Sequence, residues 1–156
     1  MRCSRLEARI PPVVVTALAA AVMLAIELST PTRGPARFGP GAVIGSVLAF
    51  VGIAVALVGV RAFSGARTTV DPLHPERSVA LVTGGIYRIS RNPMYLGFVA
   101  ALLGQALALS SPVGVLLALA TAAYLYRFQI APEERLLQLR FGSDYDEYKR
   151  SVRRWI

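Results

Sequence analysis

Four long apolar runs alternate with shorter polar segments along the chain. They cover residues 12–29, 41–63, 94–109 and 113–128. The second run is long enough to cross a bilayer with some tilt, whereas the last two fall short of the usual span of about 20 residues. The pattern predicts an all-α, polytopic integral membrane protein with about four transmembrane helices, C-terminal interfacial helices and no Rossmann domain. We treat residues 1–156 as a single membrane domain.

Small side chains recur at helical spacing within two of these runs. Gly45, Gly52 and Gly59 are seven residues apart in the second run, and Gly97 and Gly104 repeat that interval in the third. Apolar surface gives helices little drive to associate in lipid, so stripes of small residues let two backbones approach closely. We expect both stripes to be helix-packing faces.

Two further features concern the way the helices are joined. The sequence "SSP" at residues 110–112 separates the third and fourth runs and predicts a tight helical hairpin. Gln105 lies in the middle of the third run, where a polar group needs a partner, so we expect an interhelical hydrogen bond. Glu27 lies at the far end of the first run, where a carboxylate can reach the membrane interface.

The basic residues follow membrane topology. Hydrophobic residues make up 54% of the chain and charged residues 17%, and the mean hydropathy is +0.53. The net charge of +8 could indicate a nucleic-acid partner, but the basic residues do not form one stripe, so we predict none. All but Arg33 and Arg37 lie in or directly next to the N-terminus, the loop 64–93 or the tail 129–156, which predicts that these three segments are cytoplasmic. A single lysine among the basic residues is typical of a GC-rich bacterial genome, which favours the bacterial inner membrane.

Metal chemistry and disulfide bonding have little support in the sequence. Cys3 is the only cysteine, and His74, the only histidine, lies in a proline-rich loop. Neither residue belongs to a group with metal-ligand spacing. We therefore predict no metal site.

A dense group of polar residues stands at the cytoplasmic edge of the third run. Residues 84–97 read "GGIYRISRNPMYLG". Pro93 favours a helix start and disfavours helix in the residue before it. In the tail, "PEERLLQLRFG" places Pro132 at a first helical position, with Glu133 and Glu134 in the first turn and Gly142 as a stop.

A second tail helix is predicted after Gly142. Its aromatic and apolar positions share one face, whereas most of its basic residues lie elsewhere. We expect that face to lie on the membrane surface; it comprises Tyr145, Tyr148, Val152 and Trp155.

The order "LVTGGIYRISRNPMYLG", helical hairpin, "EERLLQLRFGSDYDEY" resembles the family of isoprenylcysteine carboxyl methyltransferases and phospholipid methyltransferases. The resemblance covers about the C-terminal half of the chain. It implies S-adenosylmethionine as cofactor and a lipid-like or other amphiphilic methyl acceptor at the cytoplasmic membrane face. It also implies which residues surround the cofactor: Leu81, Val82, Tyr87, Asn92, Pro93, Met94, Tyr95, Glu133 and Glu134.

The chain departs from the resemblance at two positions. Members that act on prenylated cysteine usually have histidine at the position of Asn92 and arginine near Gln129. We expect Gln129 and Arg127 to contact the substrate, and phospholipid amine to be the leading acceptor. Arg91 is the leading candidate for a catalytic role, because a guanidinium there could orient a substrate or cofactor carboxylate.

Elementary chemistry supports a site at this edge. A carboxylate such as Glu133 or Glu134 can accept hydrogen bonds from ribose hydroxyls or pair with an ammonium. Tyr87 and Tyr95 can pack on adenine or hydrogen-bond through their hydroxyls. Two other functions remain open at this stage: a membrane reductase of the sterol-reductase type that uses NADPH, and a non-enzymatic membrane scaffold. The sequence does not predict an oligomeric state.

Overall fold

The computed structural model describes residues 10–29, 39–65 and 81–156. Their elements are α1 (Pro12–Ser29), α2 (Pro40–Gly65), a 3₁₀ turn (Gly85–Arg88), α3 (Pro93–Ala108), α4 (Pro112–Leu125), a π turn (Tyr126–Ile130) and α5 (Ala131–Ser151). The all-α fold is confirmed, and these ranges contain no β-strand. Several residues used in the sequence arguments lie outside the described ranges: Arg2, Cys3, Arg5, Arg9, Arg33, Arg37, Arg67, His74 and Arg77.

Within the described ranges, three helical segments are long and apolar enough to cross a membrane, namely Pro12–Ser29, Pro40–Ala62 and Pro112–Ser151, and Pro93–Ala108 is a shorter apolar helix. The third segment includes α5, whose charged residues set it apart from the apolar α4. We therefore take α4 as the spanning part of that segment, and α5 as lying beyond it. The protein is an integral membrane protein.

The closest helix packing is between α2 and α3. A Cβ atom added to Gly52 would lie 2.7 Å from the Gly97 carbonyl oxygen, and one added to Gly104 would lie 2.6 Å from the Gly45 carbonyl oxygen. Real Cβ atoms do not approach backbone so closely, so the two backbones are in direct contact. Both small-residue stripes are therefore packing faces, as predicted.

A hydrogen bond joins α1 to this pair, and a tight turn joins α4 to α3. Gln105 Nε2 in α3 donates to the Ala20 carbonyl of α1 at 2.9 Å, which is the predicted interhelical hydrogen bond. The α3–α4 hairpin turns at Ser110, whose φ of 49° is left-handed. Ser111 then accepts from the Gly114 amide and caps α4. Glu27 is only 3% exposed, so its side chain is enclosed by protein.

The predicted helix start is confirmed, because α5 begins at Ala131 with Pro132 and Glu133 in its first turn, but no loop separates α5 from α4. The chain runs from α4 through the π turn into α5 without leaving a helical conformation, and the Ala131 amide donates to the Tyr126 carbonyl five residues back. A proline within a helix lacks an N–H group, and its ring crowds the carbonyl four residues earlier. The wider π turn directly before Pro132 accommodates both effects.

The π turn also preserves one buried face along this long helix. The buried residues of α4 follow a spacing of three or four and end at Leu125. The next member of the same cluster, Ile130, comes five residues later. Gln129, four residues after Leu125, is buried as well, so the buried face is broader at the π turn than in α4.

The predicted break at Gly142 is confirmed, but the environment predicted for the aromatic face beyond it is wrong. Gly142 has φ 49° and ψ −117°, a non-helical kink inside α5. Beyond it, Tyr145 is 1% exposed and packs, with Tyr148 and Val152, against Leu81 and other apolar side chains. Burying these rings against protein removes their apolar area from water, so this face does not lie on the membrane surface.

Candidate functional site

The loop before α3 and the end of the chain are held together by backbone contacts. We call residues 81–92 the rim loop and residues 152–156 the strap. The Arg91 amide donates to the Arg153 carbonyl at 3.0 Å. Ser90 Oγ and Asn92 Nδ2 donate to the Arg154 carbonyl at 3.3 and 3.2 Å. The strap therefore fixes the three residues that lead into α3.

α5 holds the rim loop from another direction. The Tyr148 hydroxyl donates to the Tyr87 carbonyl at 2.7 Å in a buried contact. Tyr87 is itself buried, and burial, followed by the charge of Glu133, raises the pKa of its phenol. Tyr87 therefore stays protonated at neutral pH.

A hydrogen bond between Tyr95 and Glu133 joins α3 to α5. The Tyr95 hydroxyl donates to Glu133 Oε2 at 3.0 Å, and Tyr95 is 2% exposed. Tyr95 lies in the first turn of α3 because Pro93 starts the helix two residues earlier. Glu133 lies in the first turn of α5, so the contact joins the starts of two helices.

Burial changes the acidity of Glu133. Its side chain is partly buried, and desolvation by the surrounding protein raises its pKa from 4.5 to about 7; the charge of Glu134 adds to that rise, and the Tyr95 hydrogen bond opposes it. Desolvation penalises the charged form of a carboxyl, which accounts for the direction. Glu133 therefore titrates near neutral pH.

Glu134 is shared by two arginines. Arg154 Nη2 lies 2.6 Å from Glu134 Oε2, and Arg154 Nε contacts both carboxylate oxygens at 3.1 and 3.2 Å. Arg91 Nη2 lies farther away, 3.5 Å from Glu134 Oε1. Two guanidinium groups on one carboxylate leave one positive charge uncompensated by it.

Arg91 keeps unused donors in a buried position. Its side chain is 10% exposed, and its Nε and Nη1 atoms have no hydrogen-bond partner within the described part of the chain. Buried N–H donors without partners are costly, and the N–H groups of arginine donate strongly to carboxylates. These free donors point to an anionic ligand group, a carboxylate being the natural fit.

An apolar cluster lies beside these polar groups. Tyr95, Leu125 and Ile130 form its buried centre, and Met94, Phe98, Val99, Tyr124 and Trp155 pack around it. The Tyr124 hydroxyl is buried and has no partner among the residues described. The cluster thus combines an apolar surface with one unused hydroxyl.

Three of the residues that the resemblance assigns to the cofactor lie around these groups. Leu81 packs under the Tyr145 cluster, Val82 is partly exposed, and Met94 touches the Tyr95 cluster. Leu81 and Val82 begin the rim loop, and Met94 lies two residues beyond its end.

The two residues assigned to the substrate lie in the π turn. Gln129 is 2% exposed and donates to the Ile10 carbonyl at 2.8 Å. Arg127 is exposed and stacks over Phe128 at 5.4 Å. Gln129 is therefore bonded within the protein, whereas Arg127 faces outward.

Sequence reasoning misses three important residues. It counts Arg154 only as a topology charge, places Tyr148 on a membrane-facing surface and does not single out Tyr124. Arg154 and Glu134 are 20 residues apart, on either side of the Gly142 kink. No local spacing rule reaches across such a break, although the concentration of both acidic and basic residues in this tail was a weak signal.

The chain is similar to known proteins over much of its length. A family model described as phospholipid methyltransferase matches residues 41–144. A "Probable protein-S-isoprenylcysteine O-methyltransferase" of Oryza sativa subsp. indica is 32% identical over 112 residues, which is 70% of this chain and 57% of the relative. "Protein-S-isoprenylcysteine O-methyltransferase A" of Arabidopsis thaliana is 38% identical over 88 residues, 54% of this chain and 43% of the relative.

A third relative comes from a fungus. "Protein-S-isoprenylcysteine O-methyltransferase" of Schizosaccharomyces pombe is 36% identical over 72 residues, 46% of this chain and 30% of the relative. The chain spans about half the length of the curated relatives it matches, or less. The family model covers more than half of the chain, from α2 through the Gly142 kink. The chain therefore belongs to the phospholipid methyltransferase family.

Proposed function

We propose that the protein is an S-adenosylmethionine-dependent methyltransferase that acts on an amphiphilic acceptor at the cytoplasmic face of the membrane. The observation that carries the proposal is the pair of unused donors on buried Arg91, which accompanies the Glu133 carboxyl at the same helix junction. Together they offer a positive and a negative partner. An amino-acid group, with its carboxylate and ammonium, has the matching charges.

The residues present fit S-adenosylmethionine. Arg91 would donate to its carboxylate from Nε or from Nη1, and Glu133 would accept from its ammonium or from the ribose hydroxyls. Tyr87 and Tyr95 are buried beneath the same rim, where they would support the site from behind, and the turn at Pro93 places Tyr95. Bound S-adenosylmethionine would supply a methyl group on a sulfonium, and would leave as the thioether S-adenosylhomocysteine.

The protein contributes positioning and a dry environment to such a reaction. Displacement at a methyl group needs aligned reactants and excluded water more than it needs acid–base groups. The Tyr95 cluster excludes water on one side, and the strap covers the rim loop. We assign no general acid or base, and Arg91 acts by orienting a carboxylate.

The acceptor would enter from the bilayer. α3 and α4 form an apolar hairpin that ends beside Tyr95 and Tyr124, so an apolar tail in the membrane could place its polar end near the cofactor. Gln129, which occupies a position where prenylcysteine-specific members tend to have arginine, is already bonded to the Ile10 carbonyl. This arrangement favours a phospholipid amine over a carboxylate acceptor.

Calorimetry on the protein in lipid nanodiscs tests the cofactor. S-adenosylhomocysteine should bind and NADPH should not; the reverse would support a reductase, and binding of neither would support a scaffold.

Radiolabelled S-adenosylmethionine is then offered with total membrane lipid and, separately, with a farnesylcysteine analogue. Label appearing only in the farnesylcysteine ester would refute the phospholipid preference while leaving the methyltransferase proposal intact.

Tyr124→Phe should lower methyl transfer about tenfold and leave the affinity for S-adenosylhomocysteine unchanged. The hydroxyl is buried and unused within the described ranges, and losing one hydrogen bond to the acceptor costs about 0.5–1.5 kcal/mol. Because no protein partner is lost, the unfolding temperature should stay the same or rise.

Thr121→Val is the matched control on the same helix, since the Thr121 hydroxyl bonds the Leu117 carbonyl of its own turn at 2.8 Å. Its methyl transfer should equal that of the wild type. Full activity of Tyr124→Phe with every acceptor would show that Tyr124 does not contact the acceptor.

A further inference from the structure

The strap contributes a side chain to the site as well as backbone carbonyls. Arg154 reaches from the strap to Glu134 with three nitrogen–oxygen distances between 2.6 and 3.2 Å. Its Nη1 also lies 3.4 Å from the Tyr126 hydroxyl, and its guanidinium stacks on the Tyr126 ring at 5.2 Å. Contacts with α5 and with the π turn therefore fix Arg154 in one orientation.

Arg154 and Arg91 compete for the same carboxylate, and Arg154 has the stronger contact. The Arg91 contact with Glu134 is 3.5 Å long, beyond the usual range for a charge-assisted hydrogen bond. Because Glu134 is turned toward Arg154, Arg91 Nε and Nη1 stay without partners among the described residues. Arg154 is thus one reason why two donors of Arg91 remain unpaired.

We propose that Arg154 is a positioning residue that occupies Glu134 and so keeps Arg91 available for the carboxylate of the amino-acid end of the cofactor. The inference rests on the proposed function and adds a role for the strap. Arg154 itself need not touch the ligand. Its positive charge also contributes to the excess that favours an anion at this point.

Removing Arg154 should let Glu134 turn to Arg91. Arginine and carboxylate pair through two parallel hydrogen bonds whenever geometry allows, and such a pair, made by Nη2 with Nε or Nη1, would use a donor that is now open. The site would also lose one positive charge. Both effects weaken the binding of a carboxylate, and neither acts on the adenosine part of a ligand.

Two ligands that differ in the amino-acid end separate this role from a general structural one. S-adenosylhomocysteine carries that end, whereas 5′-methylthioadenosine has the same adenosine and thioether without it. In Arg154→Ala, calorimetry should show an affinity about tenfold lower for S-adenosylhomocysteine and unchanged for 5′-methylthioadenosine. Arg154→Lys should give a smaller selective loss, because one ammonium holds Glu134 less completely than a guanidinium fork.

Arg150→Ala is the matched control, since Arg150 is an exposed arginine of the same tail. It should bind both ligands as the wild type does. If Arg154→Ala does not fold, Arg154→Lys carries the same comparison.

Equal losses for the two ligands, or no loss for either, would overturn the positioning role of Arg154. A wild-type protein that binds neither ligand would instead refute the proposed function itself, and the role of Arg154 with it.

Discussion

Glu133→Gln should weaken the binding of S-adenosylhomocysteine about ten- to a hundred-fold at pH 8. The carboxylate is the form that pairs with an ammonium or accepts strongly from ribose hydroxyls, and losing one charge-assisted hydrogen bond costs about 1.5–3 kcal/mol. The Tyr95 hydroxyl can still donate to the amide oxygen of the introduced glutamine, so the helix junction should persist. Calorimetry in nanodiscs measures the change directly.

The wild-type affinity should also rise with pH. Because the pKa of Glu133 is about 7, the carboxylate is a minor form near pH 5.5 and the major form near pH 7.5. Binding that needs the carboxylate should therefore strengthen about twentyfold over that interval. Glu133→Gln should show almost no such dependence, and Glu147→Gln, which changes an exposed acid of the same helix, should keep it.

The stability of the folded protein should change with pH in the opposite direction to the affinity. A carboxyl whose folded-state pKa is raised from 4.5 to about 7 favours the folded state below about pH 4.5, and that contribution is lost as the pH rises through about 7. Glu133→Gln should therefore be at least as stable as the wild type at pH 8. A variant with weaker binding and reduced stability would indicate a structural role for Glu133.

Gly104→Ala should lower the free energy of unfolding by about 3 kcal/mol. The new Cβ would lie 2.6 Å from the Gly45 carbonyl oxygen and 2.8 Å from Ala49 Cα, so the two helix backbones must separate. Overpacking of this kind costs about 1–3 kcal/mol, and the contact with rigid backbone places the cost at the upper end. Thermal or denaturant unfolding in detergent gives the value.

Gly41→Ala is the matched control at the start of α2, because a Cβ added there meets nothing within 4 Å. Its stability should be unchanged or slightly higher, since alanine favours helix over glycine. Equal stability of Gly104→Ala and Gly41→Ala would show that α2 and α3 are not in backbone contact in the membrane.

The pattern of apolar and small residues was enough to predict the helical fold. Small-residue stripes have few uses in a membrane helix other than close packing, so the α2–α3 contact could be inferred from glycine spacing alone. Gln105 could be assigned an interhelical bond for a similar reason, because a polar group in that position needs a partner. Both inferences depend on local spacing and on the chemistry of the bilayer.

The tail could not be predicted in the same way. Its aromatic face is compatible with either lipid or protein, and only the tertiary fold determines that Tyr145 packs on Leu81. The Arg154–Glu134 contact crosses a kink, so helical periodicity carries no information about it. The start of α5 near Pro132 was predicted, but its continuity with α4 was not, because that continuity depends on the π turn.

The π turn also changes how the buried face of α4 is oriented relative to the acidic pair of α5. In an uninterrupted α-helix, the direction of each side chain fixes the directions of all the others. Rotating α4 about its axis would then also rotate Glu133 and Glu134 away from their partners. The additional residue at Tyr126–Ile130 rotates α5 by a fixed angle relative to α4. The buried face of α4 and the direction of the acidic pair toward Tyr95 and Arg154 therefore differ by a rotation that an uninterrupted α-helix would not provide.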